Sequence, residues 1–323
     1  MKKIPVIMDC DPGHDDAIAL ILAFASEKLD VRAVTVTGGN QTLAKTLDNA
    51  KKILSFIGAR PPLAAGTDKP MFRELETAGE VHGESGLGDT VLPETDYKEE
   101  PIPAVDLMRR IITENPGPVT LIATGPLTNL GILFTAYPEV RNNIARVSLM
   151  GGGIEAGNKS AAAEFNIAVD PEAAEIVFAS GVPITMCPLD VTHRALMTPD
   201  GMEILRKHGG PVSMLAAELS GFYFRYYKKQ GFTGAPMHDA CAVAWLIAPE
   251  LFKTADYHIV VETQGKHTAG MTLADRRFWS RAKVNAQVCL DVDSPALVRM
   301  IIDACKSYGQ PSMPIIPTGP KAK

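Results

Sequence analysis

The stretch Asp9-Cys10-Asp11-Pro12-Gly13-His14-Asp15-Asp16-Ala17 places four carboxylates within eight residues. An apolar run, Ile4 to Met8, leads in, and a second, Ala17 to Ala25, leads out. The first has the length of a buried strand. The second is long enough, and rich enough in Ala, Leu and Ile, to predict a helix. Pro12 and Gly13 mark the sharp turn between them. The acid loop therefore follows the carboxyl end of a strand, where open α/β sheets put their ligands. Any one of these residues has an ordinary structural reading: Asp-Pro-Gly is a common turn, and an aspartate in a first helical turn suits the helix dipole. Four together repel one another unless something neutralises them, and a hard cation with oxygen ligands is the natural candidate.

Working outward, the pattern strand, polar loop, helix repeats. Val31 to Thr37 is a β-branched strand ending in Gly38-Gly39-Asn40, followed by a helix from about 43 to 56. Val119 to Ala123 ends in Thr124-Gly125-Pro126, with helices on either side, and Ala145 to Met150 ends in Gly151-Gly152-Gly153. A polar loop carrying Asn158, Glu164 and Asn166 precedes a helix opened by Pro171, and Ile184 to Cys187 is a further short strand. This alternation predicts a mainly parallel central sheet flanked by helices. The interruption at 61–100 is too long for an idle connection and predicts a lid or binding segment. After residue 195 the chain reads as helices at 199–207 and 211–227, a helix opened by His238-Asp239, antiparallel strands within 257–291, and a last helix near 295–308. No internal repeat or linker divides it, so one domain is expected over 1–309, with a loosely held tail at 310–323.

With 323 residues, 46% of them hydrophobic, the chain has ample material for a core, and its net charge of −5 is mild. There is no basic stripe for nucleic acid, no apolar run that spans a membrane, and the acid loop interrupts any signal-peptide core, so a cytoplasmic protein is expected. The five cysteines, Cys10, Cys187, Cys241, Cys289 and Cys305, are scattered and form no metal-binding pair spacing. Cys10 lies between two carboxylates, which disfavours its thiolate and predicts a packing role.

Polar residues collect at equivalent places in the repeat. Asp11, Asp15, Asp16, Asn40, Thr124, Met150, Asn158, Glu164, Asn166 and Asp239 all follow a strand, precede a helix or lie in an adjoining loop. In a parallel sheet these points crowd along one edge. That edge is rich in carboxylates and amides and poor in Lys and Arg, which suits a divalent cation and an uncharged polyhydroxylated ligand such as a sugar. A phosphate would call for a glycine-rich anion cradle with basic residues, and no Gly-x-x-x-x-Gly-Lys-Ser/Thr motif occurs.

The run DCDPGHDDAIAL at 9–20 resembles the N-terminal signature of the inosine-uridine-preferring nucleoside hydrolases. GGNQT at 38–42, HGESGL at 82–87, TGPLTN at 124–129, MGGG at 150–153, AEFNIAVDPEAA at 163–174 and HDACAVAWL at 238–246 resemble the same family in the same order. The resemblance implies a nucleoside hydrolase fold, a bound calcium ion, cleavage of an N-ribosidic bond and a homo-oligomer, dimer or tetramer. Carried onto this sequence, it implies that Asp11, Asp16, the Thr124 carbonyl and Asp239 ligate calcium. Asp15, Asn40, Asn158, Glu164 and Asn166 would hold the ribose hydroxyls, with Met150 beneath the sugar. Asp11 would also be the general base for a calcium-activated water, through an oxocarbenium-like transition state. His82 and His238 would lie near the nucleobase, His238 as candidate acid, and one of Tyr226 and Tyr227 would close over the base. Gln230 stands eight residues before His238, where some pyrimidine-preferring members of the family carry an aromatic. Uridine and cytidine are the favoured substrates, with inosine, purine or mixed specificity as the alternative.

Two other classes compete. A magnesium-dependent phosphohydrolase also opens with Asp-x-Asp after a strand, but Pro12-Gly13 follows here and no supporting lysine motif is evident. A silent nucleoside-binding protein would have no need of the complete set Asp11, Asp15, Asp16, Asn166 and Asp239.

Overall fold

The computed structural model describes residues 3–309, so the expected tail at 310–323 lies outside the described residues. Among the described residues twelve strands form: β1 (Ile4–Cys10), β2 (Leu29–Val36), β3 (Leu63–Ala65), β4 (Val119–Ala123), β5 (Ile144–Met150), β6 (Ile184–Cys187), β7 (Leu196–Met197), β8 (Ala235–Pro236), β9 (Phe252–Tyr257), β10 (Ile259–Val261), β11 (Thr272–Ala274) and β12 (Ala286–Val292). Eight of them make the main sheet in the order β3-β2-β1-β4-β5-β6-β12-β9. All its neighbours are parallel except the edge pair β12 and β9. β1 is central, and its last five residues are buried, as a strand covered on both faces requires.

The chain leaves β1 toward β2 and β3, then returns to the other side of β1 as β4. The loops at the carboxyl ends of β1 and β4 therefore diverge, opening a crevice at the point where the strand order reverses. Asp11 follows the end of β1 and Thr124 the end of β4, on either side of this divergence.

Helices cover both faces. One apolar core joins β1 to the helices His14–Ala25, Pro211–Lys228, His238–Ile247 and Ser294–Ser307. The other lies under the helices Ala104–Glu114, Thr128–Ala136 and Pro171–Ala179. His14–Ala25 is buried from His14 through Ala23, so it is apolar all round apart from its first turn, where the acids stand. Among the described residues no helix is long and apolar enough to cross a membrane.

Two expectations are refined. The antiparallel strands expected within 257–291 form, β10 with β11 and β12 with the edge strand β9, but β12 also joins the main sheet parallel to β6. Gly265 and Gly270 lie in the connection between β10 and β11, but local sequence carries no signal for β12's parallel partner, which lies about a hundred residues earlier. The segment 61–100 is not wholly irregular, since it adds the edge strand β3 and the one-turn helix Gly79–His82.

Candidate active site

Asp9 does not belong to the acid cluster. It lies within β1 on the face shared with Ile7, and its Oδ1 accepts from Thr35 Oγ1 at 2.6 Å and from Asn129 Nδ2 at 2.9 Å. Burial pushes its carboxyl up to about 7, against those two hydrogen bonds. Asp11 lies just past the strand end and is fully buried at the crevice floor. Its Oδ2 accepts the Asn40 backbone N–H at 2.6 Å, and its Oδ1 has no partner. Glycines make this possible: a Cβ on Gly39 would lie 2.1 Å from Asp11 Oδ2, and one on Gly125 would lie 2.6 Å from Oδ1.

Asp16 is the best satisfied acid. Its Oδ2 accepts from the Gly13 N–H at 3.0 Å and Asn40 Nδ2 at 3.1 Å, and its Oδ1 from Thr124 Oγ1 at 2.8 Å. Carboxylate oxygens of Asp15, Asp16 and Asp239 lie within 4.8 Å of one another, all buried. Burial is the main cause raising the carboxyl pKa of Asp11, Asp15, Asp16 and Asp239. Like charge adds to it: Asp16 acts on Asp11, and Asp15 and Asp16 act on Asp239. Asp15 is pushed up to about 8. Asp11 Oδ1 and Asp15 Oδ1 are buried acceptors with no donor. An all-oxygen set with two orphaned carboxylate oxygens fits a hard divalent cation and leaves no role for thiolate or imidazole ligands.

Above this floor opens a cavity of about 280 Å³. Asp15, Asn40, Thr124, Met150, Asn166 and Asp239 reach it from below, while Asp11 and Asp16 lie beneath the wall. Asn166 Nδ2 bonds the Thr124 carbonyl at 2.8 Å and the Met150 carbonyl at 3.2 Å, tying the ends of β4 and β5 together. Glu164 caps the short helix Phe165–Val169: its Oε1 accepts the Asn166 N–H, and its Oε2 the N–H groups of Ile167 and Gly152. Its carboxyl is pushed up to about 7 by burial, against these bonds. Asn158 lines the mouth, exposed, with its Oδ1 on the Phe165 N–H. The expected ribose-side residues thus share one cavity, although several of their polar atoms are engaged with backbone.

The other wall is aromatic. His82 ends the one-turn helix of the long segment and packs over Gly13, where a Cβ would lie 2.4 Å from its Nδ1. That Nδ1 accepts the His14 backbone N–H at 3.4 Å, so the His82 proton belongs on Nε2. Burial holds His82 down to about 3, and it is neutral. On the helix Pro211–Lys228, Tyr223, Tyr226 and Tyr227 fall three and four residues apart, on one face. All three line the cavity, as do His238 and the exposed Gln230. Tyr227 OH lies 2.8 Å from His238 Nε2.

Tyr223 and His193 are among the lining residues that the sequence does not assign to the site. Tyr223, buried, directs its hydroxyl to Asp15 Oδ2 at 3.3 Å, and its spacing of four from Tyr227 was the available signal. His193 lies edge-on to His238, ring centroids 5.5 Å apart, and its position after β6 was the same signal that marks the other loop residues. All five cysteines are free and buried, and burial, then the charges of Asp16, Asp9 and Asp11, push Cys10 far up, in keeping with packing.

Known proteins fit this geometry. Residues 6–299 match the family model described as inosine-uridine preferring nucleoside hydrolase. The chain is 50% identical over 307 residues to the pyrimidine-specific ribonucleoside hydrolase RihA of Photobacterium profundum, covering 94% of this chain and 99% of that one. It is 49% identical over 308 residues to the protein of that name in Citrobacter koseri, with the same coverage of each chain. Among solved structures, the purine-preferring ribonucleoside hydrolase of Gardnerella vaginalis superposes with a TM-score of 0.89 at 29% identity, covering 94% of this chain and 98% of that one. The chain belongs to the inosine-uridine preferring nucleoside hydrolase family and is an N-glycosyl hydrolase.

Proposed function

We propose that the protein hydrolyses pyrimidine ribonucleosides, uridine and cytidine foremost, to free base and ribose in a calcium-dependent reaction. The carrying observation is the buried acid cluster flooring a polar cavity, with an orphaned oxygen on Asp11. The pyrimidine preference is supported by the relatives near 50% identity, whose names state it.

Asp11, Asp16, the Thr124 carbonyl and Asp239 would hold calcium, as the family resemblance implies, with Asp15 beside them; the carboxylate oxygens within 4.8 Å of one another are those of Asp15, Asp16 and Asp239. When bound, the ion offsets the carboxylate repulsion and supplies a Lewis acid that lowers the pKa of water at the cluster. Asp11 Oδ1 accepts the proton of the attacking water, while the Asn40 N–H holds Oδ2. Asp15, Asn40, Asn158, Glu164 and Asn166 orient the ribose hydroxyls. The oxygens lining this floor stabilise positive charge developing at the anomeric carbon more than they stabilise the neutral sugar. Met150 supplies the surface beneath the sugar. His82, Tyr226, Tyr227, Gln230 and His238 would face the nucleobase, and His238 Nε2, 2.8 Å from Tyr227 OH, would offer a hydrogen bond to the departing base. The protein acts on a small nucleoside as a homo-oligomer in the cytoplasm.

Turnover of uridine, cytidine, inosine and adenosine, read as released base, tests this. Uridine and cytidine should lead. Faster inosine or adenosine cleavage would replace the pyrimidine assignment with a purine-preferring one, and binding with no base release would make the chain a nucleoside-binding protein.

A further inference from the structure

One hydrogen-bond chain runs through the aromatic wall. Tyr223 OH lies 3.3 Å from Asp15 Oδ2 and 3.4 Å from Tyr227 OH. Tyr227 OH lies 2.8 Å from His238 Nε2, and His238 Nδ1 lies 2.7 Å from Thr192 Oγ1. All five residues are buried. Tyr223 donates to Asp15 Oδ2, whereas the single Tyr227 proton can go to Tyr223 or to His238 Nε2, so it is the other end of the chain that sets the His238 tautomer.

The Thr192 end supplies the direction. A threonine in a helix commonly returns its hydroxyl proton to a carbonyl one turn back. Thr192, at the end of the short helix Leu189–Thr192, bonds the Pro188 carbonyl through its backbone N–H only. Among the described residues its hydroxyl meets His238 Nδ1 and no other partner. A buried hydroxyl proton left unpaired is costly, so it goes to Nδ1. Nδ1 is then an acceptor, and the ring proton sits on Nε2.

We propose that Thr192 is a positioning residue for departure of the nucleobase, holding His238 in the tautomer that keeps its proton on Nε2, the nitrogen on the Tyr227 side of the cavity. The inference rests on the reading that His238 serves the departing base. In the opposite tautomer a lone pair would face the oxygens and nitrogens of a pyrimidine that gains electron density as it leaves.

The test compares the full-length protein with Thr192→Val, which keeps shape and loses the hydroxyl, Thr192→Ser, which restores it, and His238→Ala. Each is assayed on uridine and on p-nitrophenyl riboside, whose leaving group needs no help. Nitrogen-15 NMR of histidine-labelled protein reads which ring nitrogen carries the proton. Thr192→Val should lower kcat on uridine by about tenfold or more, with a smaller loss on the activated riboside, in the pattern expected for leaving-group assistance. KM should change little, Thr192→Ser should recover most of the rate, and the His238 signal should leave the Nε2–H position only in Thr192→Val. Equal losses on both substrates in Thr192→Val, no rescue by Ser, or an unmoved tautomer would overturn the proposal. Should His238→Ala itself lose equally on both substrates, the reading of His238 falls. Should His238→Ala show the leaving-group pattern and Thr192→Val not, Thr192 alone falls.

Discussion

Asp11 has one oxygen tied to a backbone N–H and the other unpartnered, and the two glycines against it leave no room for a side chain. Asp11→Asn keeps size and one ligand oxygen but removes the proton acceptor. Its kcat on uridine should fall at least about 10²-fold, with a thermal melt near the parent's. Near-parental turnover would show that another group activates water. Gly39→Ala should cost activity by a different route, because its Cβ would overlap Asp11 Oδ2 and lie 2.7 Å from Pro126 Cδ. Asp11 or the Thr124–Pro126 turn must shift, and a displacement of this order is enough to lose about 10²-fold in rate. Unlike Asp11→Asn, this variant should also melt earlier. Asp15 makes the sugar side equally testable. Its Oδ1 is a buried acceptor without a donor, which a ribose 2′-hydroxyl would satisfy. Replacing uridine by 2′-deoxyuridine should lower kcat/KM by about 10⁴-fold, the scale on which a site built around a hydroxyl rejects its absence. Equal values would mean the ribose is held elsewhere.

At the scale of elements, the segment 61–100 reaches the site because buried polar anchors pin it to distant helices. Asp170 is fully buried and accepts from the Met71 N–H at 2.9 Å, Thr128 Oγ1 at 2.7 Å and the Ala173 N–H at 3.1 Å. Arg73 forks onto both oxygens of Glu172 and also donates to the Thr263 carbonyl. Asp170→Ala strands three donors at once and should cost about 3 kcal/mol or more. A melting temperature within a degree of the parent's would mean that those donors find other partners. Anchors of this kind are illegible in sequence, since Asp170 reads equally well as the cap of the helix opened by Pro171, a role it also fills. Elements set by local pattern are legible: Val119–Ala123 and Ile184–Cys187 form at the positions their apolar runs predict, and the helix Leu43–Phe56 ends where its periodicity does. Strand pairing is a different matter. The partners of β12 are β6 and β9, and nothing within residues 286–292 distinguishes a parallel neighbour from an antiparallel one. Asp9 is misread for a related reason: composition reports its charge, but only the strand's end at Cys10 decides that it faces Asn129 and that Asp11 faces the crevice.

At the scale of the whole molecule, the site is a consequence of strand order. Six parallel strands in the order β3-β2-β1-β4-β5-β6 bring residues from Asp11 to Asp239 to one crevice, and the helix His238–Ile247 enters it from the face of β1 covered by His14–Ala25. That convergence was foreseeable from where the polar residues stand in the repeat. The cost it imposes was foreseeable only as a sign, and the structure gives it a pH window. Burial raises the Asp15 carboxyl to about 8 and lifts Asp11, Asp16 and Asp239 as well, so without a cation the folded cluster binds protons that the unfolded chain has released above its ordinary carboxylate range. The folded state binding more protons means that stability falls as pH rises, up to about the folded pKa values. Calcium must displace those protons, so its affinity should rise with pH over the same interval. The expected result is a melting temperature that drops from pH 6 to about 8 in chelated protein and holds nearly level when calcium is saturating, so that the stabilisation by calcium widens with pH. Asp239→Asn should weaken the calcium-induced shift, and activity in all preparations should track bound calcium measured after gel filtration. Parallel pH slopes with and without calcium, or full activity in metal-free protein, would show that the acid cluster is neutralised by something other than this ion.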